Sequence, residues 1–219
     1  NRDLQYACMN FIKEQEFIPQ LNVFMCSLGG DPNVAFNSVN ILRTKCRNLT
    51  TYVPDYAKSA ATLICLGADE IVMAVGSQLG PLDMQVPDPR NSPEDISALS
   101  GYQALEAVAN FLHNEIDVTV KQLYRKARAN ISDSLKYAME LVDSMARPLF
   151  EQVNPLDLGR FSNALAVSER YGSELLRRYN KTVSEKEITE IVSALVRDYP
   201  SHSFVIDLPE AQKIGLSAR

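Results

Sequence analysis

The chain has 219 residues, of which 46% are hydrophobic and 22% are charged, so its apolar side chains suffice for a substantial core. The 27 acidic residues outnumber the 22 basic ones, and the net charge of −5 disfavours binding to nucleic-acid phosphates. No apolar run reaches the roughly 18 residues of a membrane span. We therefore expect a folded cytoplasmic protein without a nucleic-acid partner, associated with a membrane only through segments outside this chain.

The cysteine pattern indicates reduced thiols. The four cysteines lack CxxC spacing and form no short cluster with histidines, and three of them lie in apolar runs, where cysteine behaves as a small hydrophobic residue. No group of Cys, His, Asp or Glu has the spacing of metal ligands. We therefore predict no metal and no cofactor.

The first part of the chain, up to about Met84, has a βαβ rhythm in which short apolar runs alternate with turns and short helical patterns. Three runs are typical of strands: Leu21–Ser27, Leu49–Val53 and Glu70–Val75. Two segments are typical of helices: Val34–Arg47, and Tyr56–Leu66 with Gly67 as its cap. An α/β core is predicted.

The second part, from Ser100 to about Tyr199, has an almost entirely helical pattern. Its predicted helices are Gly101–Asn114, Val118–Glu151, Leu158–Tyr179 and Ser184–Asp198, with interruptions at Pro148, Asn154-Pro155 and Asn180. Residues 87–93 contain three prolines and predict a loop, Phe204–Ile206 predicts a strand, and Pro209–Gln212 opens a short helix that ends at Gly215. We predict one domain over residues 1–219, with a core at about 20–112 and 203–219 and a helical extension at about 113–200.

Gly29-Gly30 ends the first predicted strand and precedes a helix. Such a pair exposes backbone N–H groups that no side chain blocks, which suits the binding of a developing oxyanion. The pair lacks the lysine and spacing of a P-loop and the third glycine of a dinucleotide fingerprint. An ordinary tight turn is the alternative interpretation.

Ser59 lies at the start of the second predicted helix, among Ala57, Ala60 and Ala61. A nucleophile there gains from the helix dipole, and the small neighbours leave room for an acyl carbonyl. The amide of Ala60 would be the second oxyanion donor. On spacing alone, Ser59 as a helix N-cap is the favoured interpretation.

Six segments in this order resemble the serine dehydrogenase proteinase family, which is similar to signal peptide peptidase A and, more distantly, to ClpP: Leu28–Gly30, Val53–Thr62, Ala68–Met73, Leu79–Asp83, Tyr199–Ile206 and Glu210–Leu216. The resemblance implies an α/β ClpP/crotonase-like fold of repeated ββα units and a serine peptidase that acts on peptides or proteins. It makes Ser59 the nucleophile and assigns the oxyanion hole to the Gly30 and Ala60 amides, with Gly29 shaping the turn. Because the relatives form rings or cages, it also implies a homo-oligomer.

The general base departs from the relatives. The ClpP-type histidine would fall near Leu82-Asp83 and the signal peptide peptidase lysine at about residues 100–113, and neither is present. His202 lies in a segment that resembles the one carrying the ClpP triad acid, so it is either the base or a histidine that satisfies a local hydrogen bond. Asp83 either orients a histidine or caps a turn, with the turn favoured.

Lys126 is the alternative candidate for the base, whereas Lys58 is not expected to deprotonate Ser59. Lys126 matches a lysine-bearing helix of the family, but it would serve only if burial lowered its pKa, and a solvated helix face is the alternative. Lys58 adjoins Ser59, although neighbouring residues at a helix start point in different directions. His113, in a helical run, is expected at a surface or interface.

These observations predict a serine hydrolase in which Ser59 attacks a peptide carbonyl and water resolves the acyl-enzyme. Two alternatives stay open. One is a scaffold or partner-binding protein that has lost its base, and the other is a crotonase-type enzyme whose paired amides hold a thioester enolate.

Overall fold

A computed structural model describes residues 2–88 and 95–219, so most of the predicted loop at residues 87–93 lies outside the described part. The chain divides into two compact units. The first contains Asn1–Gln85 and Ala164–Arg219, and the second contains Val86–Asn163. The chain is an α/β protein, as predicted.

The first unit is built on a small parallel sheet of three strands in the order β1 (Ile18–Phe24), β2 (Cys46–Val53) and β4 (Glu70–Met73). Leu21 pairs with Leu49, and Thr51 pairs with Ile71. Near the C-terminus, Ala218 forms a parallel bridge to Ile71 at the free side of β4. A second, two-stranded parallel sheet joins β3 (Tyr56–Ala57) to β5 (Gln78–Leu79).

Helices cross between the parallel strands, because a parallel pair needs a connection that returns to the same end of the sheet. After α1 (Arg2–Glu14), α2 (Pro32–Arg43) connects β1 to β2. Its N-terminus is capped by Asp31, whose side chain accepts the N–H of Asn33 at 2.8 Å. The next helix, α3 (Ala60–Leu66), is buried at all seven residues. Ser59 immediately precedes this buried helix.

The C-terminal part of the first unit contains residues 164–179 of α6 (Pro155–Tyr179), then α7 (Glu185–Ser193), a π-helical turn at Ala194–Asp198 and α8 (Leu208–Lys213). A capping box between Ser184 and Glu187 begins α7. Fully buried side chains from both sheets, from α2 and α3 and from the C-terminal part form the core of this unit: Val39, Leu49, Val53, Leu63, Leu66, Leu79, Leu175, Leu195 and Ile206.

The second unit contains α4 (Ala98–Lys126), α5 (Ile131–Phe150) and the start of α6. Asn130 caps α5 by accepting the N–H of Asp133 at 2.8 Å. A two-stranded pairing of β6 (Gln85–Pro87) with β7 (Asp95–Ser97) precedes α4. Within the described residues, no helix combines the length and apolar character that crossing a membrane requires.

Several predicted boundaries are wrong. Pro148 does not interrupt α5, since it lies close to the helix end, where one missing N–H costs a single hydrogen bond. The predicted gap at residues 115–117 is helical, and the break falls at residues 127–130 instead. Phe204–Ile206 is not a strand, because only Ile206 forms a bridge, which is antiparallel to Leu79.

Candidate active site

Ser59 has a backbone conformation that serine rarely adopts, with φ 50° and ψ −119°. It occupies the N-cap position of α3, but its side chain accepts no hydrogen bond from the helix, so the N-cap role favoured from spacing is not the one observed. A strained serine on a sharp turn into a helix is the geometry of a nucleophile elbow. The hydroxyl is therefore not used in capping.

Gly29 packs directly against this turn. With φ +106°, it has a conformation that favours glycine, and an added Cβ would lie 2.7 Å from the Lys58 carbonyl oxygen and 2.9 Å from Ser59 Cβ. The same position would be 3.1 Å from the Ala60 nitrogen. Gly29 therefore allows the Gly29-Gly30 turn to touch the start of α3, which a larger residue would prevent.

The backbone amides of Gly30 and Ala60 have no acceptor among the described residues. The N–H of Gly29 donates to Ser27 Oγ at 3.1 Å. Those of Gly30 and Ala60 donate to no protein atom within the described residues, and Ala60, as the first residue of α3, has no partner within the helix. The two amides predicted to form the oxyanion hole are thus unpaired, while Gly29 is engaged in the turn.

A cavity of about 380 Å³ borders the same residues. Gly29, Gly30 and Ala60 form part of its wall. Most of the remaining lining is apolar: Leu4, Val23, Phe24, Met25, Val34, Ala35, Ala61 and Ile64. A group bound at the free amides would therefore have an apolar space beside it.

Gly29→Ala tests this close packing. We expect it to destabilise the fold by at least about 1 kcal/mol more than Gly76→Ala, because the new methyl group meets backbone atoms that cannot move away. Gly76 is the matched control, since it has φ +83° but nothing within 4 Å of an added Cβ. Urea denaturation of both variants measures the difference, and equal losses would contradict the packing described.

His202 and Asp83 form a pair in the first unit. The imidazole Nδ1 lies 3.0 Å from Asp83 Oδ1, and the side chains are 21% and 2% exposed, respectively. The hydrogen bond to Asp83 raises the pKa of His202, while burial and, to a smaller degree, the Lys58 charge oppose this. When Nδ1–H donates to the carboxylate, Nε2 is left as the acceptor that a general base needs.

Backbone contacts bring the segments that carry these residues together. Ala57, two residues before Ser59, pairs with Leu79. Leu79 in turn exchanges two backbone hydrogen bonds with Ile206, at 2.8 and 3.2 Å. On the other side, Thr62 Oγ1 in the first turn of α3 accepts the N–H of Gly80 at 3.1 Å, three residues before Asp83. Ser59, Asp83 and His202 thus come from three adjoining segments.

The other candidate bases lie elsewhere or are engaged. Lys126 is exposed at the end of α4 in the second unit, so the burial required of a lysine base is absent. His113, also on α4, is exposed, with Nδ1 3.1 Å from the Ala109 carbonyl oxygen. Lys58 Nζ donates to the carbonyl oxygens of Leu79 at 3.0 Å and Phe204 at 3.1 Å.

Comparison with protein-family models, with curated proteins and with solved structures finds no match for this chain. The resemblance described from the sequence therefore rests on its motifs alone. Among residues 2–88 and 95–219, no group of three or more His, Cys, Asp or Glu side chains is placed to hold a metal ion.

Sequence reasoning favoured the less suitable of two roles for Asp83. The sequence favoured a turn cap over the orientation of a histidine, whereas the Asp83 carboxylate holds the His202 imidazole. A signal was present in the resemblance, which implies a ClpP-type histidine near Leu82-Asp83 and the ClpP triad acid in the segment of His202. The acid and the histidine are thus exchanged between these two positions. The sequence does not show that Asp83 and His202 contact each other, and the structure does.

Proposed function

We propose that the chain is a serine hydrolase with a ClpP/crotonase-like fold that cleaves peptide bonds through a Ser59 acyl-enzyme. The observation that carries the proposal is the strained Ser59, whose hydroxyl does not cap α3, beside the Gly30 and Ala60 amides, which have no acceptor in the described part of the chain. Strain of this kind costs about 1 to 3 kcal/mol and persists where the surrounding structure enforces it, most often at functional sites. The parallel sheet with crossing helices supports the fold type.

The proposed reaction uses groups of the first unit. Ser59 Oγ attacks the carbonyl carbon while its proton passes to His202 Nε2, and the carbonyl oxygen becomes an oxyanion held by the Gly30 and Ala60 amides. The C–N bond then breaks, and the leaving amine takes the proton from His202. Water, deprotonated by His202, attacks the serine ester, and Ser59 Oγ leaves with the proton from His202 as the acid is released.

Asp83 has the role of orienting acid in this proposal. Its buried carboxylate fixes the His202 ring and stabilises the imidazolium that forms during each step. Among the described residues, Ser59 Oγ makes no hydrogen bond to His202. Catalytic hydrogen bonds are often long in free enzymes and tighten when substrate binds, so the proposal requires the ring to approach Ser59 in the substrate complex.

The cavity at the free amides predicts a preference for apolar acyl groups. We expect kcat/KM for p-nitrophenyl butyrate to exceed that for the acetate by about tenfold, because each methylene removed from water contributes about 0.8 kcal/mol. Hydrolysis by Ser59→Ala gives the background to subtract. Equal values for the two esters would contradict binding of the acyl chain in this cavity.

Labelling with a fluorophosphonate tests the proposed function. We expect the parent protein to be labelled and Ser59→Ala to remain unlabelled. An absence of labelling at every pH, with the fold intact, would contradict the hydrolase and leave the scaffold and the crotonase-type enzyme. A coenzyme A binding measurement would then separate those two, since only the second requires an acyl-thioester site.

A further inference from the structure

Lys58 links the Ser59 turn to the segment that carries His202. Its backbone is fixed on the Ser59 side, where its N–H donates to the Ser27 carbonyl at 2.9 Å and its own carbonyl accepts from Ala61 at 2.9 Å. Its ammonium group reaches the carbonyl oxygens of Leu79 and Phe204, at 3.0 and 3.1 Å. One side chain therefore joins β3, β5 and the chain beyond His202.

The contact with Phe204 fixes the turn that contains His202. Phe204 N–H donates to the Ser201 carbonyl at 3.1 Å, which closes the turn, and the Phe204 ring stacks on Tyr199 with centroids 4.7 Å apart. The hydrogen bond from Lys58 Nζ to the Phe204 carbonyl connects this turn to the segment of Ser59, because Lys58 directly precedes Ser59. The side chain crosses Gly80, where an added Cβ would lie 2.6 Å from Lys58 Cδ, so its path is confined.

We propose that Lys58 is a positioning residue that holds the His202 turn against the Ser59 turn and so keeps the His202–Asp83 pair formed. Lys58 Nζ is engaged as a donor to two carbonyls, so in this proposal Lys58 positions the turn and His202 is the base. Burial lowers the pKa of Lys58. The description of His202 as the base rests on the proposed function, but the structural role of Lys58 does not.

The pKa of His202 reports on this role. The charged groups that act on the ring among the described residues are Asp83, whose hydrogen bond is the largest influence and raises the pKa, and Lys58, whose charge is the smallest and lowers it. If Lys58 keeps the pair formed, its removal loosens the Asp83 bond, and the pKa of His202 falls towards that of a free histidine. If Lys58 acts as a charge only, its removal raises that pKa.

The test is an NMR titration of the histidine rings in the parent and in Lys58→Met. The chain has two histidines, so the exposed His113 supplies an internal reference signal in the same spectra. Lys181→Met, at an exposed lysine of the first unit, is the matched control. Gly80→Ala is a second variant that keeps the charge but displaces the side chain, because its methyl group would occupy the path of Lys58.

We expect the His202 pKa to fall in Lys58→Met and in Gly80→Ala, and fluorophosphonate labelling of both to slow by about tenfold or more, as misplaced catalytic groups do. An unchanged or raised His202 pKa in both variants would overturn the positioning role. An unlabelled parent with the expected fall in pKa would contradict the hydrolase while supporting Lys58 as a positioning residue, so the two failures are distinguishable.

Discussion

Ser59→Gly is expected to abolish fluorophosphonate labelling and, at the same time, to stabilise the fold by about 1 kcal/mol. The strained φ and ψ of Ser59 cost about 1 to 3 kcal/mol, which glycine avoids, although glycine loses about 0.5 to 1 kcal/mol more entropy on folding. Active-site residues often have strained conformations that lower the stability of the fold because the conformation is needed for the reaction.

Arg128→Gly is the matched control for this substitution. Arg128 is the other non-glycine residue with positive φ among those described, at 52°, and it lies in the second unit. We expect a comparable stabilisation by urea denaturation with no change in labelling. A loss of stability in Ser59→Gly, with the gain present in Arg128→Gly, would contradict strain at Ser59.

His202→Ala is expected to slow labelling by about 10² to 10⁴, the usual contribution of a general base. His113→Ala, at the exposed histidine of α4, should label at the parent rate. If His202→Ala stays within about threefold of the parent, the base is another group. Lys126→Ala, measured in parallel, tests whether the exposed Lys126, the alternative base predicted from the sequence, contributes to the labelling rate.

The pH dependence of labelling tests the role of Asp83. Because the hydrogen bond to Asp83 raises the pKa of His202, the base loses its proton at a higher pH than an ordinary histidine does, and the labelling rate should rise with pH through the raised pKa. Asp83→Asn should move the midpoint to lower pH and also lower the maximal rate, since the imidazolium loses its carboxylate. An unmoved midpoint would show that His202 does not control the rate.

The same pair makes stability depend on pH with a defined sign. The folded-state pKa of His202 is raised above its ordinary value of 6.5, so the stabilising contribution is fully present below that pH. It is lost as the pH rises through the folded-state pKa. Stability therefore falls with rising pH, whereas the labelling rate rises, because the reaction needs the neutral His202 imidazole.

Local patterns were enough to predict much of the α/β core. The apolar runs around Leu21, Leu49 and Ile71 all lie in the parallel sheet. The small residues after Ser59 begin a buried helix, as their spacing indicated. Such features depend on neighbours within a few positions, and the sequence shows them directly.

The remaining features depend on contacts between distant residues. Asp83 and His202 are separated by 119 positions, and no periodicity indicates that they meet. The Phe204 carbonyl accepts a hydrogen bond from Lys58 Nζ, and within Phe204–Ile206 the bridge to another segment is at Ile206, so this apolar run forms no strand. Ser59 also packs closely against Gly29, a contact that spacing along the chain does not indicate.

Peptide mapping by mass spectrometry, after the protein reacts with a fluorophosphonate, tests the central claim most directly. The proposed mechanism predicts one adduct per chain, located on Ser59, that forms faster as the pH rises. An adduct on another residue, or none on a protein whose fold is intact, would contradict the assignment of Ser59 as the nucleophile.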